Sequence, residues 1–368
     1  SILLYNYKGE SITLMQYFLT MNIQEDLFAS VTTGNVLIRD PDNLMEVFPI
    51  IGEETLEVTY RTNETFEWVT RKFYVSECSN KAEIANKTYA YTLSFTSEEF
   101  MINKTTLVTR SFNNLTPSSV AEIVLTNILK TSKAINVENS IGVYTYIAPS
   151  IRPFEVIRSM TNKAKSAEWV DGAAFMFFEN KEGFNFVSLE SLYNREAHQY
   201  EVGNQNAYAT DESFNVVRAI SRTGAPSILT SVSGGALGVK AKSLNLLTKQ
   251  VTDVSYDYFD DAEYTKVNRV NGSTPTNRLT TSKYKYKSKE GVYKFMVGTA
   301  NSGSDYKHVN LAKRYAQLSA LSSGQKIHIE VAFNSDITVG DMVYLKILTS
   351  SISDSSAESQ LEEKYSSG

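Results

Sequence analysis

The segment FPIIGEETLEVTY, Phe48 to Tyr60, constrains the fold more than any other stretch of this 368-residue chain. After Gly52 and two carboxylates, Leu56, Val58 and Tyr60 alternate with Glu57 and Thr59. A period of two sends alternate side chains to opposite faces, the pattern of a half-buried strand. The phrase recurs near the other end as ITVGDMVYLKI, Ile337 to Ile347, where Gly340 and Asp341 precede an alternating run. A glycine followed by an acid forms a tight turn whose backbone amides are satisfied locally. The strand that follows has one face for a core. Two copies of the phrase predict one barrel topology used twice, at either end of the chain.

Between the two phrases the style changes. The first hundred residues read as short strands: SVTTGNVLIRD turns at Thr33, Gly34 and Asn35, PDN at Pro41 to Asn43 is a turn, and FEWVTRKFYVSEC and KTYAYTLSFTS continue in strand style. LTPSSVAEIVLTNILK predicts a helix capped by Thr116, with Pro117 in its first turn and an apolar stripe of Val120, Ile123, Val124, Leu125 and Ile128. A second helix starts near Pro153 and carries Val156, Ile157, Met160 and Ala164 on one side. A hairpin follows, Ala173–Phe178 with Phe184–Leu189, turning at Gly183. ESFNVVRAISRTG fits a short helix or a strand. Residues 262–304 are polar and read as surface loop and strand, partly mobile. HVNLAKRYAQLSALSSG predicts a helix with Leu311, Tyr315 and Leu318 on the buried face, Lys313 and Arg314 on another, and Gly324 as the stop. QKIHIEVAF points Ile327, Ile329 and Val331 inward. The polar end, 351–368, reads as loop or tail.

The expected architecture is mixed and β-rich, of α+β type: two β-barrel domains with an inserted α+β domain. Residues 1–108 form the first barrel, 109–200 the middle unit, and 201–350 the second barrel with inserted strands and loops around 225–300.

Little in the chain asks for catalysis. Cys78 is the sole cysteine, so no internal disulfide forms, and the residue reads as a small buried hydrophobe. No stretch of about 20 apolar residues marks a membrane span, and no secretion signal is read at the start. The net charge of −5 gives no basic footprint for nucleic acid. His198, His308 and His328 are isolated, so no metal site is expected, and no cofactor. SGGALG, Ser233 to Gly238, lacks the Lys-Ser/Thr of a phosphate loop. The carboxylate pairs Glu53-Glu54, Glu98-Glu99 and Asp260-Asp261 are adjacent in sequence, and neighbours on a strand face opposite ways, which suits shared acid–base work poorly. The basic, tyrosine-rich YKYKSKEGVYK reads as a lysine-protected edge strand before it reads as a nucleic-acid contact.

In order and spacing, DLFASVTTGNVLIRDPDNLMEVFPIIGEETLEVTY, LTPSSVAEIV, YIAPSIRPFEVIRSMTNKAKSAEWVDGAAFMFFENKEGFNFVSL and AKRYAQLS…VAFNSDITVGDMVYLKI resemble the baseplate central hub proteins of contractile-tailed bacteriophages, a family with relatives in type VI secretion and other contractile injection systems. The resemblance implies two tail-tube-like barrels per subunit and a homotrimer, so that three chains present six similar units. It implies a structural, non-enzymatic virion protein of the tail baseplate, assembled in the host cytoplasm. Such a ring joins a sixfold tail tube or tube-initiator protein to a threefold central spike. It also contacts the inner baseplate (wedge) proteins and passes phage DNA through its lumen without reading its sequence. Hubs of this kind continue past the GDMVYLKI strand. The resemblance therefore implies a truncated or processed chain, or a final barrel completed by another polypeptide, with spike and lysozyme parts on separate proteins. Candidate interface residues are Gly52, Glu53, Leu56, Val58 and Tyr60 in the first phrase and Gly340, Asp341, Val343, Leu345 and Ile347 in the second, with Leu56–Tyr60 and Val343–Ile347 as edge strands near intersubunit pairing. The alternatives are a β-rich virion protein that binds a receptor or glycan through exposed aromatics, and a cell-wall hydrolase, which Glu98→Gln would inactivate.

Overall fold

The computed structural model describes residues 1–48, 50–85, 87–170, 172–202, 215–223, 238–245, 249, 251–258, 292–298, 305–323 and 326–347. The chain is β-rich, and the buried apolar residues among those described fall into four clusters.

The first unit is one seven-stranded antiparallel sheet. Its strands are β1 (Ile2–Tyr5), β2 (Ser11–Thr13), β3 (Phe18–Gln24), β4 (Thr33–Asp40), β5 (Thr55–Tyr60), β6 (Val69–Ala85) and β7 (Thr88–Thr96), with helices α1 (Leu44–Val47) and α2 (Glu98–Thr105). The order is β2-β1-β5-β6-β7-β4-β3. β2 and β3 therefore stand at opposite edges, yet only Leu14–Tyr17 connects them. Laid flat, seven strands would set those edges about 29 Å apart, whereas the connector spans roughly 17 Å when fully stretched. The sheet must curl into a half-barrel, and the connector is itself a turn in which Tyr17 N and Phe18 N both donate to Leu14 O. Leu4, Leu14, Val36, Ile38, Leu56, Val58, Phe73, Val75, Leu93 and Phe95 fill the concave side. The predicted turn at PDN is held by Asp40, whose buried carboxylate accepts from the backbone N–H of Asp42 and Leu44 and from the Tyr91 hydroxyl.

The middle unit contains β8 (Val108–Leu115), α3 (Pro117–Ile123), β9 (Ala134–Val137), β10 (Tyr144–Ile151), α4 (Pro153–Thr161), β11 (Phe175–Glu179), β12 (Gly183–Ser188) and α5 (Leu189–Tyr193). Thr116 caps α3 by accepting from Ser119 N at 3.2 Å, Pro117 opens it, and a π-helical turn at Val124–Ile128 continues it. β11 and β12 form the expected hairpin, and β9 adds parallel to β12. Gly183 (φ +148°) is obligatory here, because a Cβ would lie 2.1 Å from the Ala134 carbonyl oxygen. Every residue of both hairpin strands is buried. One face, Phe175, Phe177, Phe184 and Phe186, packs on α3 and α4 with Val120, Val124, Val156, Ile157 and Met160. The other, Met176, Phe178 and Val187, packs on Leu318, Leu321 and Val339 from later in the chain. A strand covered on both faces needs a near-continuous apolar run, which FMFF supplies.

The last unit has β13 (Ala197–Val202), β14 (Val216–Thr223), β15 (Gly238–Asn245), β16 (Val251–Asp257), β17 (Val292–Gly298), α6 (Asp305–Ser323), β18 (Lys326–Val331) and β19 (Met342–Ile347). ESFNVVRAISRTG thus supplies a strand. One sheet runs β18-β14-β13-β19, another β16-β15-β17. In the first unit β4 and β5 are separated by β7 and β6; here β18 and β19 are separated by β14 and β13. In both sheets the flanking pair runs in opposite directions. The intervening strands differ, since β6 and β7 are antiparallel while β13 and β14 are parallel.

The inward face of α6 departs from the sequence expectation. Ala312, Ala316 and Ala320, at four-residue spacing, are fully buried against Val239, Ala241, Tyr256 and Tyr258. Leu318 instead faces the middle hairpin. Small side chains let the helix axis approach the sheet closely, so alanines win the contact face over leucines. Arg314, placed by the sequence on another face than Leu311, Tyr315 and Leu318, is drawn inside as well, as described below. Ile327 also remains largely exposed on β18. The Ser233–Gly238 cluster before its last residue, His308's side chain, Asp260-Asp261, most of 262–304, the start of YKYKSKEGVYK and 351–368 lie outside the described residues.

Candidate interface and junction

The two phrases share their geometry. Gly52 has φ +96° and Gly340 φ +94°, the left-handed region that glycine tolerates without strain. Beside each, a carboxylate caps the turn. Glu54, fully buried, accepts from Ile51 N at 2.5 Å and Gly52 N at 2.9 Å. Asp341 accepts from Thr338 N at 2.8 Å and also faces Arg195 (3.4 Å), just before β13, and His198 (3.8 Å), within it. Of the Glu53-Glu54 pair, only Glu53 is exposed.

The remaining candidates divide. Leu56 and Val58 are buried in the subunit's own core, and β5 is hydrogen-bonded on both sides, to β1 and to β6. Leu56–Tyr60 is therefore an interior strand, and the expectation of an edge strand for intersubunit pairing is corrected. Its second neighbour comes from the N-terminus, a non-local pairing that the alternation of β5 does not reveal. Tyr60 is half-buried, its ring edge-on to Phe333 at 5.6 Å, and burial pushes its phenol pKa up. β19 is an edge strand of its sheet, paired with β13 alone among the described residues. Val343 (39% exposed) and Tyr344 (46%) stand in solvent, Leu345 is half-buried, and Ile347 lies opposite Val202 in the register.

The sequence reading missed a polar junction where the three units meet. The loop before β19 docks on the first unit. Thr62 N donates to Ser335 Oγ at 3.1 Å and Ser335 N to Thr62 Oγ1 at 2.6 Å. Glu25 accepts from Thr338 Oγ1 and Val339 N, and its other oxygen pairs with Arg71 at 2.5 Å. Arg71 in turn donates to Thr32 Oγ1 and to the Asn180 carbonyl. Glu179, ending the β11 run, accepts from Thr32 N (2.9 Å), Ser97 Oγ (2.5 Å) and Lys133 Nζ (2.8 Å). Lys133 also binds Glu99, which accepts from Thr131 as well. Lys181 reaches the backbone carbonyls of Ser335 and Asp336. Three carboxylates (Glu25, Glu99, Glu179) thus meet two cations (Arg71, Lys133), as buried charge requires, while Lys181 pairs with Asp336 at the margin. Glu99 is committed to this network, while Glu98 lies 3.5 Å from the Tyr74 hydroxyl, so the two do not share an acid–base site. The available signal was a lone acid at the end of an apolar strand, at Glu179.

A second tie joins α6 to the middle unit. Arg314 donates to the Phe175 carbonyl (2.6 Å), Asn162 Oδ1 (3.1 Å) and Thr161 Oγ1 (3.4 Å) at the C-terminal end of α4. A helix C-terminus carries partial negative charge and favours a cation. Desolvation pushes the guanidinium pKa down to about 10. Burial also raises the Cys78 thiol pKa, which suits a packed residue better than a nucleophile. Among the described residues no group of three or more His, Cys, Asp or Glu side chains is placed to hold a metal ion, and no helix is long and apolar enough to cross a membrane.

This curled antiparallel sheet, sandwiched hairpin and second β unit form the fold of phage tail proteins. The chain superposes on a tail protein from Neisseria meningitidis MC58 with a TM-score of 0.54, at 10% identity, covering 94% of this chain and 86% of that one. It superposes on the 43 kDa tail protein of prophage MuSo2 from Shewanella oneidensis with a TM-score of 0.52, at 10% identity, covering 95% and 88%. In sequence it is 21% identical over 351 residues to a probable baseplate hub protein of Vibrio phage KVP40, covering 88% of this chain and 79% of the relative. No protein-family model matches the chain. The resemblance to baseplate hubs thus extends from sequence to fold.

Proposed function

We propose that three copies of this chain form a ring that adapts a sixfold tail tube to a threefold central spike, with phage DNA passing through the middle and without enzymatic activity. The observation that carries the reading is the internal pairing of the two phrases. Each has a left-handed glycine and a carboxylate-capped turn, and each leads into a strand three places from its oppositely directed companion. A chain with two such units offers near-equivalent surfaces every sixth of a turn when three copies close on a threefold axis. The polar junction supports this reading, because it holds the two units in a fixed relation within one subunit. The corresponding parts are the first unit, the middle unit and the second β unit, expected at 1–108, 109–200 and 201–350, with β8 (Val108–Leu115) going to the middle unit and β13 (Ala197–Val202) to the last. The β19 edge, with Val343 and Leu345, serves contact between subunits; tube or initiator, spike and wedge proteins are the further partners. Light scattering on the purified chain tests the ring. A mass three times the 41.2 kDa subunit is expected, and a monomer persisting at high concentration refutes it.

A further inference from the structure

A cleft of about 380 Å³ opens where the loop between β3 and β4 faces α2 and the start of α4. None of the charged residues of the polar junction lines it. Phe100, Phe154 and Val31 give it an apolar floor, and Arg152 and Arg158 stand exposed at its rim. Asn103 also lines it and is only 5% exposed. The N–H of Phe154, in the first turn of α4, donates to Asn103 Oδ1 at 2.9 Å. A backbone N–H needs an acceptor, so this bond fixes which way the amide is turned. Asn103 Nδ2 is then a buried donor with no partner among the described residues, and neither guanidinium has one there. The acceptors of the cleft are in the opposite condition. Glu155 accepts from Arg152 N at 3.3 Å, and Asp26 from Phe28 N at 2.9 Å. The unused hydrogen-bonding capacity is therefore mostly that of donors, and the positive end of α4 adds to it.

We propose that this cleft binds a carboxylate on a short apolar stem, presented as a Glu or Asp side chain by a neighbouring protein. A guanidinium matches a carboxylate with two parallel N–H···O bonds, and Asn103 Nδ2 donates a further one. The methylenes of the stem and an adjacent apolar side chain lie on Phe100 and Phe154. A buried donor left unmade is costly, so Asn103 favours the occupied cleft over the empty one. Two guanidiniums share the cleft with two carboxylates, Asp26 and Glu155, so it tolerates one added negative charge and disfavours a polyanion such as a nucleic-acid backbone. The site lies within one subunit and stands whether or not three copies form a ring.

The test is saturation-transfer NMR on the full chain with three probes: the blocked peptide acetyl-Ala-Leu-Glu-Leu-Ala-amide, its Gln counterpart and free glutarate. Saturation transfer to the Glu peptide is expected at about 1–5 mM, with none to the Gln peptide. Asn103→Asp keeps the acceptor for Phe154 N and replaces the donor by a repelling charge. Arg158→Gln removes one guanidinium from the exposed rim. Each is expected to weaken binding about tenfold or more, since bonds to charged groups are the strong ones. The control Lys8→Gln, an exposed cation on the first unit outside the cleft, is expected to leave binding unchanged. Circular dichroism checks the fold of each variant, and the Glu and Gln peptides with Arg158→Gln carry the test if Asn103→Asp does not fold. Glutarate that binds at least as tightly as the Glu peptide, and weakens in the same variants, assigns the cleft to a free dicarboxylate and overturns the neighbouring protein as its source. No binding of either carboxylate, equal binding of the Gln peptide, or binding that a folded variant of Asn103 or Arg158 leaves unchanged, overturns the site.

Discussion

Lys133 is the sharpest place to perturb the junction. Its ammonium lies 2.6 Å from Glu99 and 2.8 Å from Glu179, whose side chains are 3% and 1% exposed. Lys133→Met keeps most of the apolar stem and removes the charge, leaving two buried carboxylates without their cation. Breaking one buried pair costs about 3–5 kcal/mol. Glu179 retains its bonds from Thr32 and Ser97, and Glu99 its bond from Thr131, so the lower end applies and we expect ~3 kcal/mol. At ~2.1 cal/mol/K per residue, that loss lowers Tm by about 4 °C if the whole chain unfolds together, and by about 7 °C if only the first two hundred residues do. Calorimetry at a fixed protein concentration reads the shift. The decisive comparison is the triple variant Lys133→Met with Glu99→Gln and Glu179→Gln, which removes the orphaned charges and is expected to recover at least half of the loss. A single variant within about 1 kcal/mol of wild type, or a triple variant no better than the single, would show that this charge cluster does not hold the units together.

Arg314→Met leaves the Phe175 carbonyl without its guanidinium donor and is expected to cost about 2 kcal/mol, read by denaturant melts and by faster proteolysis near α6. Gly52→Ala has open space for its Cβ and pays only the backbone strain, about 1 kcal/mol, whereas at Gly340 the Cβ also meets the Phe178 ring at 3.0 Å and the loss is larger; equal losses would contradict the packing described. Burial raises the pKa of Tyr17, Tyr60, Tyr91, Tyr144, Tyr193 and Tyr200. These phenols stay neutral in the folded chain and ionise in the unfolded one, so their contribution is complete below pH 10 and is lost as pH rises above it. Arg314 acts the other way, since its folded pKa is depressed and stability rises between about pH 10 and its unfolded value. Six groups outweigh one, and alkaline titration by near-ultraviolet absorbance is expected to show late, cooperative tyrosine ionisation coincident with unfolding.

Local chemistry carried well from sequence to structure. Thr116 and Pro117 start α3 as their cap and ring geometry require, and Leu56 and Val58 turn inward as their alternation predicts. What did not carry was pairing at a distance. The alternation of β5 says which face is buried but not how many neighbours it has, and β1 arrives from the far N-terminus to make it interior. On α6, hydrophobicity ranks leucine above alanine, yet the contact face is chosen by how closely the helix approaches β15 and β16. Of the site, the two glycine turns were readable, because conformation and cap are set within four residues. The junction was not, since Glu25 finds Arg71 and Lys133 finds Glu179 each across 46 residues of chain, and Arg71 reaches Asn180 across 109.

The hairpin β11–β12 has no free face: α3 and α4 grip one side, α6 and the loop before β19 the other. No slip plane is left between the middle of the subunit and its last third, because sliding either past the hairpin opens two hydrophobic layers together. Tension applied to one end of the subunit is passed on undiminished, so under an optical trap these two parts give way in a single rupture.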